Sequence, residues 1–388
     1  MLARAIEAAG LHRRIALGIV SRIGAGPRNL TLGFVIATAF LSMWITNTAA
    51  TIMMFAVALS VIEVVRSRSS AQDAKHVRRF SVGLMLAVAY SASIGGMATL
   101  IGSPVNGLLA TTLFAEYGIE IEFVDWLLMG LPVMLIMLVA AWALLTLVLF
   151  RSEIGGVEDV DAVIRRERDG LGPMSGPERV VTGVFVLAAV GWILGDPLSR
   201  AVGLPISDTT VAIAAAVLLF AIPTDRTFKN FPLDWERART LPWNVLLLIG
   251  GGLAIATGFQ STGLAAVIGG AVSGLDVSVV VLVALMTVMM VFLTEVMSNP
   301  ASAATILPVA AALAVGVGVS PLLLAVPAAL AANMSFMMPV ATAPNAIVFS
   351  HKELTTKDMA KAGFFLNIIG AVVCVAVTTL TYRPLYGW

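Results

Sequence analysis

The 388-residue chain is 59% hydrophobic and only 12% charged, with a formal net charge of +1. Together with a mean hydropathy of +0.96, this composition excludes a soluble globular domain and leaves a polytopic membrane protein. The near-zero charge gives no reason to expect a nucleic-acid partner, and the lone Cys374, set in an apolar run, excludes an internal disulfide and reads as packing.

Residues 1–29 lack the apolar core and cleavage site of a signal peptide and read as an amphipathic segment at the membrane surface. Residues 30–65 form two apolar halves meeting at Thr46-Asn47-Thr48. Each half falls short of the roughly 20 residues that cross a bilayer, so the expectation is a re-entrant helical hairpin. The basic run 66–80 reads as a solvated loop, and 81–115 is long enough to cross but is broken by Gly95-Gly96, Gly102 and Pro104. A span over 125–150 completes a first repeat, 30–150, and a cytoplasmic loop follows over 151–178.

The second repeat, 179–388, opens with spans near 179–195, 208–223 and 241–257. The run Gly250-Gly251-Gly252 inside the third lacks the lysine of a phosphate loop and reads as close helix packing. Residues 277–318 are again two apolar halves, meeting at Ser298-Asn299-Pro300. The segment 320–350 is broken by Pro339 and Pro344, and 361–382 is the last span. Only two of the 24 Lys and Arg, Arg200 and Arg383, lie outside the segments 1–30, 66–80, 151–179, 224–240 and 351–361. Placing those segments in the cytoplasm brings the hairpins in from opposite faces, an all-α fold built as an inverted repeat.

Few charges are available at membrane depth, and His12, His76 and His351 fall in polar loops, so no metal cluster or histidine base is expected and no enzyme is indicated. What converges is neutral: Ser42, Thr46, Asn47 and Thr48 with Gly102 and Ser103, then Thr294, Ser298 and Asn299 with Ala341 and Thr342. Hydroxyl, amide and freed carbonyl oxygens suit a small alkali cation, while helix starts offer unpaired N–H groups to an anion. Holding both at one depth couples their binding, which reads as symport. Any one of these residues, taken singly, reads sooner as polar glue between helices, and it is the paired copies that favour a site. Glu295, the one acid embedded in an apolar run, reads as a structural acceptor at a bend in preference to an ion ligand.

The stretches GLHRRIAL, LSMWITNT, YSASIGGMATLIGSP, WNVLLLIGGGLAIATGF, FLTEVMSN and PVATAPNAIVF resemble the divalent anion:sodium symporter family, across nearly the whole chain. The resemblance implies sodium-coupled transport of a divalent anion such as a C4-dicarboxylate by elevator-type alternating access, in a multi-pass protein of the cell membrane, with no organic cofactor. It implies one sodium held by Ser42, Thr46, Asn47 and Gly102 and a second by Thr294, Ser298, Asn299 and Ala341. Substrate carboxylates would meet Asn47, Thr48, Ser103, Asn299 and Thr342, with Pro300 lining the same pocket. Departures from the family pattern are Thr46 for a serine, Pro300 for a threonine, and Val105 and Ala343 each for one proline of a pair. Pro300 removes a hydroxyl and an N–H from the anion pocket, which leaves a sodium-independent exchanger or a carrier of sulfate or another inorganic anion as alternatives. Family members carry several helices before the GLHRRIAL stretch that supply scaffold and dimer contact. The expectation is therefore a start upstream of Met1 and a homodimer with those helices present, the other reading being a truncated, non-transporting membrane protein.

Overall fold

A computed structural model describes residues 1–24, 26–154, 158–203, 206–225, 229–241, 243–264, 267 and 277–386. Every regular element among them is helical. Among the described residues six helices are apolar and long enough to cross a membrane by their full length, Asn47–Arg68 and Asn299–Gly316 among them although each half-hairpin was expected to fall short, and four shorter apolar helices accompany them.

The amino-terminal segment is two helices, α1 (Leu2–Ala9) and α2 (Leu11–Ile23), joined where Gly10 takes φ 76°, a left-handed conformation that a glycine adopts without strain. The amphipathic segment expected there is thus divided into two helices. Next come α3 (Pro27–Ser42) and α4 (Asn47–Arg68), the two arms of the first hairpin. The return arm has 22 residues, longer than expected, because the helix continues past the apolar stretch into Glu63, Arg66 and Arg68. Up to Ile62 it measures about 24 Å at 1.5 Å per residue, short of a hydrocarbon core of about 30 Å.

The run 66–80 is not a loop. It holds the end of α4 and the start of α5 (Ala74–Gly96), and Arg66 pairs with Glu353 at 2.7 Å and Arg78 with Asp358 at 2.7 Å. Helices α5 and α6 (Pro104–Tyr117) are the halves of the first broken helix, and α7 (Phe123–Ala143) runs on through a π-helical turn over Leu144–Leu149. The segment 151–178, expected as loop, contains α8 (Glu158–Asp169). Helix α9 (Gly176–Val202) begins in a capping box of Ser175 and Glu178 and is kinked at Leu194. It is followed by α10 (Asp208–Ala221), the short α11 (Trp235–Ala238) and α12 (Asn244–Ser261). With 14 residues, α10 is about 21 Å long, shorter than a full crossing.

The second hairpin is α13 (Val279–Leu293) with α14 (Asn299–Gly316), the second broken helix is α15 (Leu322–Ala332) with α16 (Ala343–Phe349), and α17 (Thr356–Tyr386) closes the chain. The two halves interlock. Helix α16 packs on α4 and α5, and α6 packs on α14 and α15, so each broken helix lies against the hairpin of the other half. Of the glycine run, Gly252 makes the expected close approach, where a Cβ would lie 3.0 Å from Leu108 Cδ1, whereas Gly250 and Gly251 face open space. Cys374 is buried and free, as packing requires.

Two of the histidines differ from expectation in lying on helices, while His351 falls in a loop as expected. His12 lies in α2 with Nδ1 3.2 Å from the Ile6 carbonyl oxygen, His76 lies in α5 with Nδ1 accepting from Glu153 N at 3.2 Å, and His351 is buried beside Glu353. None joins a metal cluster: among the described residues no group of three or more His, Cys, Asp or Glu converges to hold an ion.

Candidate functional site

Four helices begin at the polar interruptions, each directly after a Ser or Thr. Thr46 caps α4, Ser103 caps α6, Ser298 precedes α14 and Thr342 caps α16, with a proline in the first turn of the last three. Ser and Thr stop the preceding chain by offering an oxygen to the first orphan N–H groups, and a first-turn proline sacrifices no helical bond. The tip residues share one conformation, φ −63° and ψ 142° at Thr46 against −63° and 144° at Ser298. The caps of the broken helices share another, −138° and 140° at Ser103 against −138° and 153° at Thr342.

Side-chain bonding is duplicated as closely. Ser42 Oγ donates to Asn47 Oδ1 at 2.6 Å, and Thr294 Oγ1 donates to Asn299 Oδ1 at 2.7 Å, each across five residues. Asn106 Nδ2 donates to the carbonyls of Gly96 (3.0 Å) and Thr99 (2.7 Å), ten and seven residues back. Asn345 Nδ2 does the same to Ser335 and Met338, at 3.0 Å each, with the same offsets. These amides satisfy carbonyls that a broken helix frees, groups that cost several kcal/mol each if left bare in hydrocarbon. Each half also brings a glycine of its final helix against the break: a Cβ on Gly130 would lie 2.5 Å from the Met97 carbonyl, and one on Gly363 would overlap Phe336.

The expected first-cluster residues Ser42, Asn47 and Gly102 gather around Gly96. A Cβ on Gly96 would overlap Asn47 Oδ1 and lie 3.0 Å from its Nδ2, and one on Gly102 would lie 2.6 Å from the Gly96 carbonyl oxygen. Thr46 is exposed at the tip and its hydroxyl accepts from Ala49 N at 3.3 Å, so it serves the helix start. Ser103 is buried and Thr48 half-buried.

In the second cluster Thr294 and Asn299 are buried, Thr294 also donates to the Ala332 carbonyl at 3.1 Å, and Ala341 is buried with its N–H on Met338 O at 3.2 Å. Ser298 is exposed, while Thr342 is half-buried and accepts from Asn345 N at 3.2 Å. Pro300 stands in the first turn of α14, where it withholds one N–H from the helix end.

Reading the sequence missed Ser335, Asn333, Asn106 and Asn345 as members of the site. Ser335 Oγ donates to Asn299 Oδ1 at 2.8 Å, in the place that Gly96 occupies beside Asn47. Asn333 Nδ2 donates to Asn106 Oδ1 at 3.2 Å, a buried bond between the two halves. The signal for Asn106 and Asn345 was present, since each lies four residues after Gly102 or Ala341. Glu295 is the bend acceptor expected: it takes hydrogen bonds from the amides of Phe336, Met337 and Met338.

The arrangement offers two clusters of uncharged oxygens, suited to small hard cations, beside helix amino-terminal ends, suited to an anion.

Comparison with known proteins agrees in kind. The family model described as the sodium:sulfate symporter transmembrane region matches residues 1–388. The sodium-dependent dicarboxylate transporter SdcS of Staphylococcus aureus strain USA300 is 41% identical over 382 residues, covering 97% of this chain and 74% of that protein. The SdcS of strain COL aligns with the same identity and coverage. Among solved structures, the YdaH transporter of Alcanivorax borkumensis superposes with a TM-score of 0.56 at 14% identity, over 100% of this chain and 85% of that one. MtrF of Neisseria gonorrhoeae, of a class of antimetabolite efflux pumps, gives 0.61 at 12% identity, over 98% and 80%. At such identities these two structures speak for the fold alone.

Proposed function

We propose, because the chain belongs to the sodium:sulfate symporter transmembrane region family and is a multi-pass membrane transporter and not an enzyme, that it carries a divalent organic anion into the cell together with sodium. A C4-dicarboxylate is the favoured substrate, in keeping with the description of SdcS. The observation that carries the reading is the duplicated pairing of Ser42 with Asn47 and of Thr294 with Asn299.

In this reading Ser42, Asn47 and Gly102 hold one sodium, with Thr46 nearby, and Thr294, Asn299 and Ala341 hold the other, with Ser298 nearby. Sodium is cargo, not a resident cofactor. Asn47 Oδ1 and Asn299 Oδ1 accept hydrogen bonds from their hydroxyl partners, so a cation arriving between hydroxyl and amide meets two oxygens already drawn together. The substrate carboxylates sit at the starts of α4, α6, α14 and α16, against Asn47, Thr48, Ser103, Asn299 and Thr342. There the positive ends of the helix dipoles favour negative charge. Pro300 leaves one fewer N–H for the anion. Binding of either ion alone leaves an uncompensated charge in a site of low dielectric, so the two are coupled. The two halves lie inverted in the bilayer, with units 30–150 and 179–388. The hairpins and broken helices move as one body against the remaining helices, and two copies associate as a dimer.

The test is uptake of labelled succinate into proteoliposomes with sodium or choline outside. Sodium-dependent accumulation is expected, and Asn47→Ala and Asn299→Ala should each abolish it while the purified variants keep their thermal melting transition. Equal uptake in choline defeats the coupling, and sodium-dependent uptake of sulfate without succinate replaces the substrate. Normal transport by either asparagine variant defeats the site.

A further inference from the structure

Glu295 follows Thr294 at the second hairpin tip and is only 4% exposed. Its Oε1 accepts from Phe336 N at 2.7 Å, Met337 N at 2.9 Å and Asn367 Nδ2 of α17 at 2.7 Å, and its Oε2 accepts from Met338 N at 2.9 Å. An ionised carboxylate offers about four acceptor sites. Four donors therefore use nearly all of its capacity, and Glu295 is unsuited to direct ligation of a cation.

The first half has no such group. Met43 follows Ser42 in the corresponding place, and there Met97 N and Ala98 N, the counterparts of Phe336 and Met337, turn back onto Ile94 O at 3.3 Å and Gly95 O at 3.1 Å. The two breaks are thus closed by different means, one by backbone turns and the other by a carboxylate. The consequence falls on Ser335, the residue just before the clamped amides. With Phe336 to Met338 fixed by Glu295, the Ser335 hydroxyl is aimed at Asn299 Oδ1 and its carbonyl at Asn345.

We propose that Glu295, held by Asn367, is a positioning residue that makes the second sodium cluster the tighter of the two without touching the ion. This rests on the sodium-coupled reading above. Groups outside the ligand shell that orient ligands commonly control metal affinity by roughly 10–100-fold when removed.

The experiment measures the sodium concentration for half-maximal uptake, the Hill coefficient and the rate at saturating sodium. It is run on the full chain, alongside sodium-dependent thermal stabilisation without substrate. Glu295→Gln should raise half-saturating sodium roughly tenfold, and Asn367→Ala by a smaller factor in the same direction. The Hill coefficient and the saturating rate should stay at wild-type values in both. Wild-type sodium dependence in the variants overturns the proposal, and a Hill coefficient lowered by one overturns it by making Glu295 a ligand. If Glu295→Gln does not fold, Asn367→Ala decides alone. A wild-type protein indifferent to sodium defeats the transport reading instead, a distinct result.

Discussion

Gly96 offers the sharpest probe of the first cluster. Its helical backbone accepts alanine, which by propensity alone would stabilise the helix by about 1 kcal/mol. The added methyl, however, would overlap Asn47 Oδ1 and stand 3.0 Å from Nδ2 and 3.1 Å from Cγ of the same amide. The obstacle is the end of a side chain, so the amide can retreat by roughly 1 Å to regain ordinary contact. That retreat breaks the 2.6 Å bond from Ser42 Oγ, a net loss of about 1 kcal/mol, and crowding adds roughly 1–3 kcal/mol. Set against the propensity gain, the stability loss is about 1–3 kcal/mol, which a folded protein tolerates. The site fares worse, because displacement of a ligating oxygen by about 1 Å costs on the order of 100-fold. Gly96→Ala should therefore melt within a few degrees of wild type yet need roughly 10–100 times more sodium for half-maximal uptake. The neighbouring Gly95→Ala collides with the backbone of Ala39, which has no side-chain freedom to yield, and should fail to accumulate as folded protein. Wild-type sodium dependence in a well-folded Gly96→Ala protein refutes the placement of Asn47 in a cation site.

Asn345→Leu leaves the Ser335 carbonyl without this donor and takes one of two donors from the Met338 carbonyl, which keeps Ala341 N at 3.2 Å. At roughly 1–3 kcal/mol for the orphaned carbonyl and about 1 kcal/mol for the second lost bond it should cost about 2–4 kcal/mol, read as a lowered melting temperature in detergent. An unchanged melt would show that the broken helix does not need its clamp. His351, in the loop after α16, has its pKa pushed below the usual 6.5, chiefly by burial and slightly by Arg66, while Glu353 pulls it upward. The unfolded chain therefore takes up the proton first as pH falls. The stability contributed by neutral His351 is full above the ordinary value and is lost as pH drops through about 6.5 toward the depressed folded value. Melting temperature should fall between about pH 7.5 and 5.5, and His351→Asn should flatten that dependence; an equally steep fall in the variant would assign it elsewhere.

Much of this protein is written in local sequence, because a bilayer imposes local demands. Apolar length, a polar pair interrupting it, a Ser or Thr cap with proline behind it, and loops rich in arginine each act within a few residues. Those features suffice to pick out two hairpins, two broken helices and the tip residues Ser42, Asn47, Thr294 and Asn299. The same local logic misjudged 66–80, whose arginines find acids some 280 residues away, and 151–178, where Val160, Val163 and Ile164 recur at helical spacing within a run whose many charges read as a loop.

Tertiary structure alone decided how the freed backbone is satisfied. That Asn106 and Asn345 reach back to carbonyls, that Ser335 answers Asn299, that Asn333 joins the halves, and that Glu295 gathers three amides and Asn367 depend on segments brought together by folding. A polar group in an apolar interior must find a partner, and sequence shows that requirement at each position. Which partner meets it is fixed only when the helices pack.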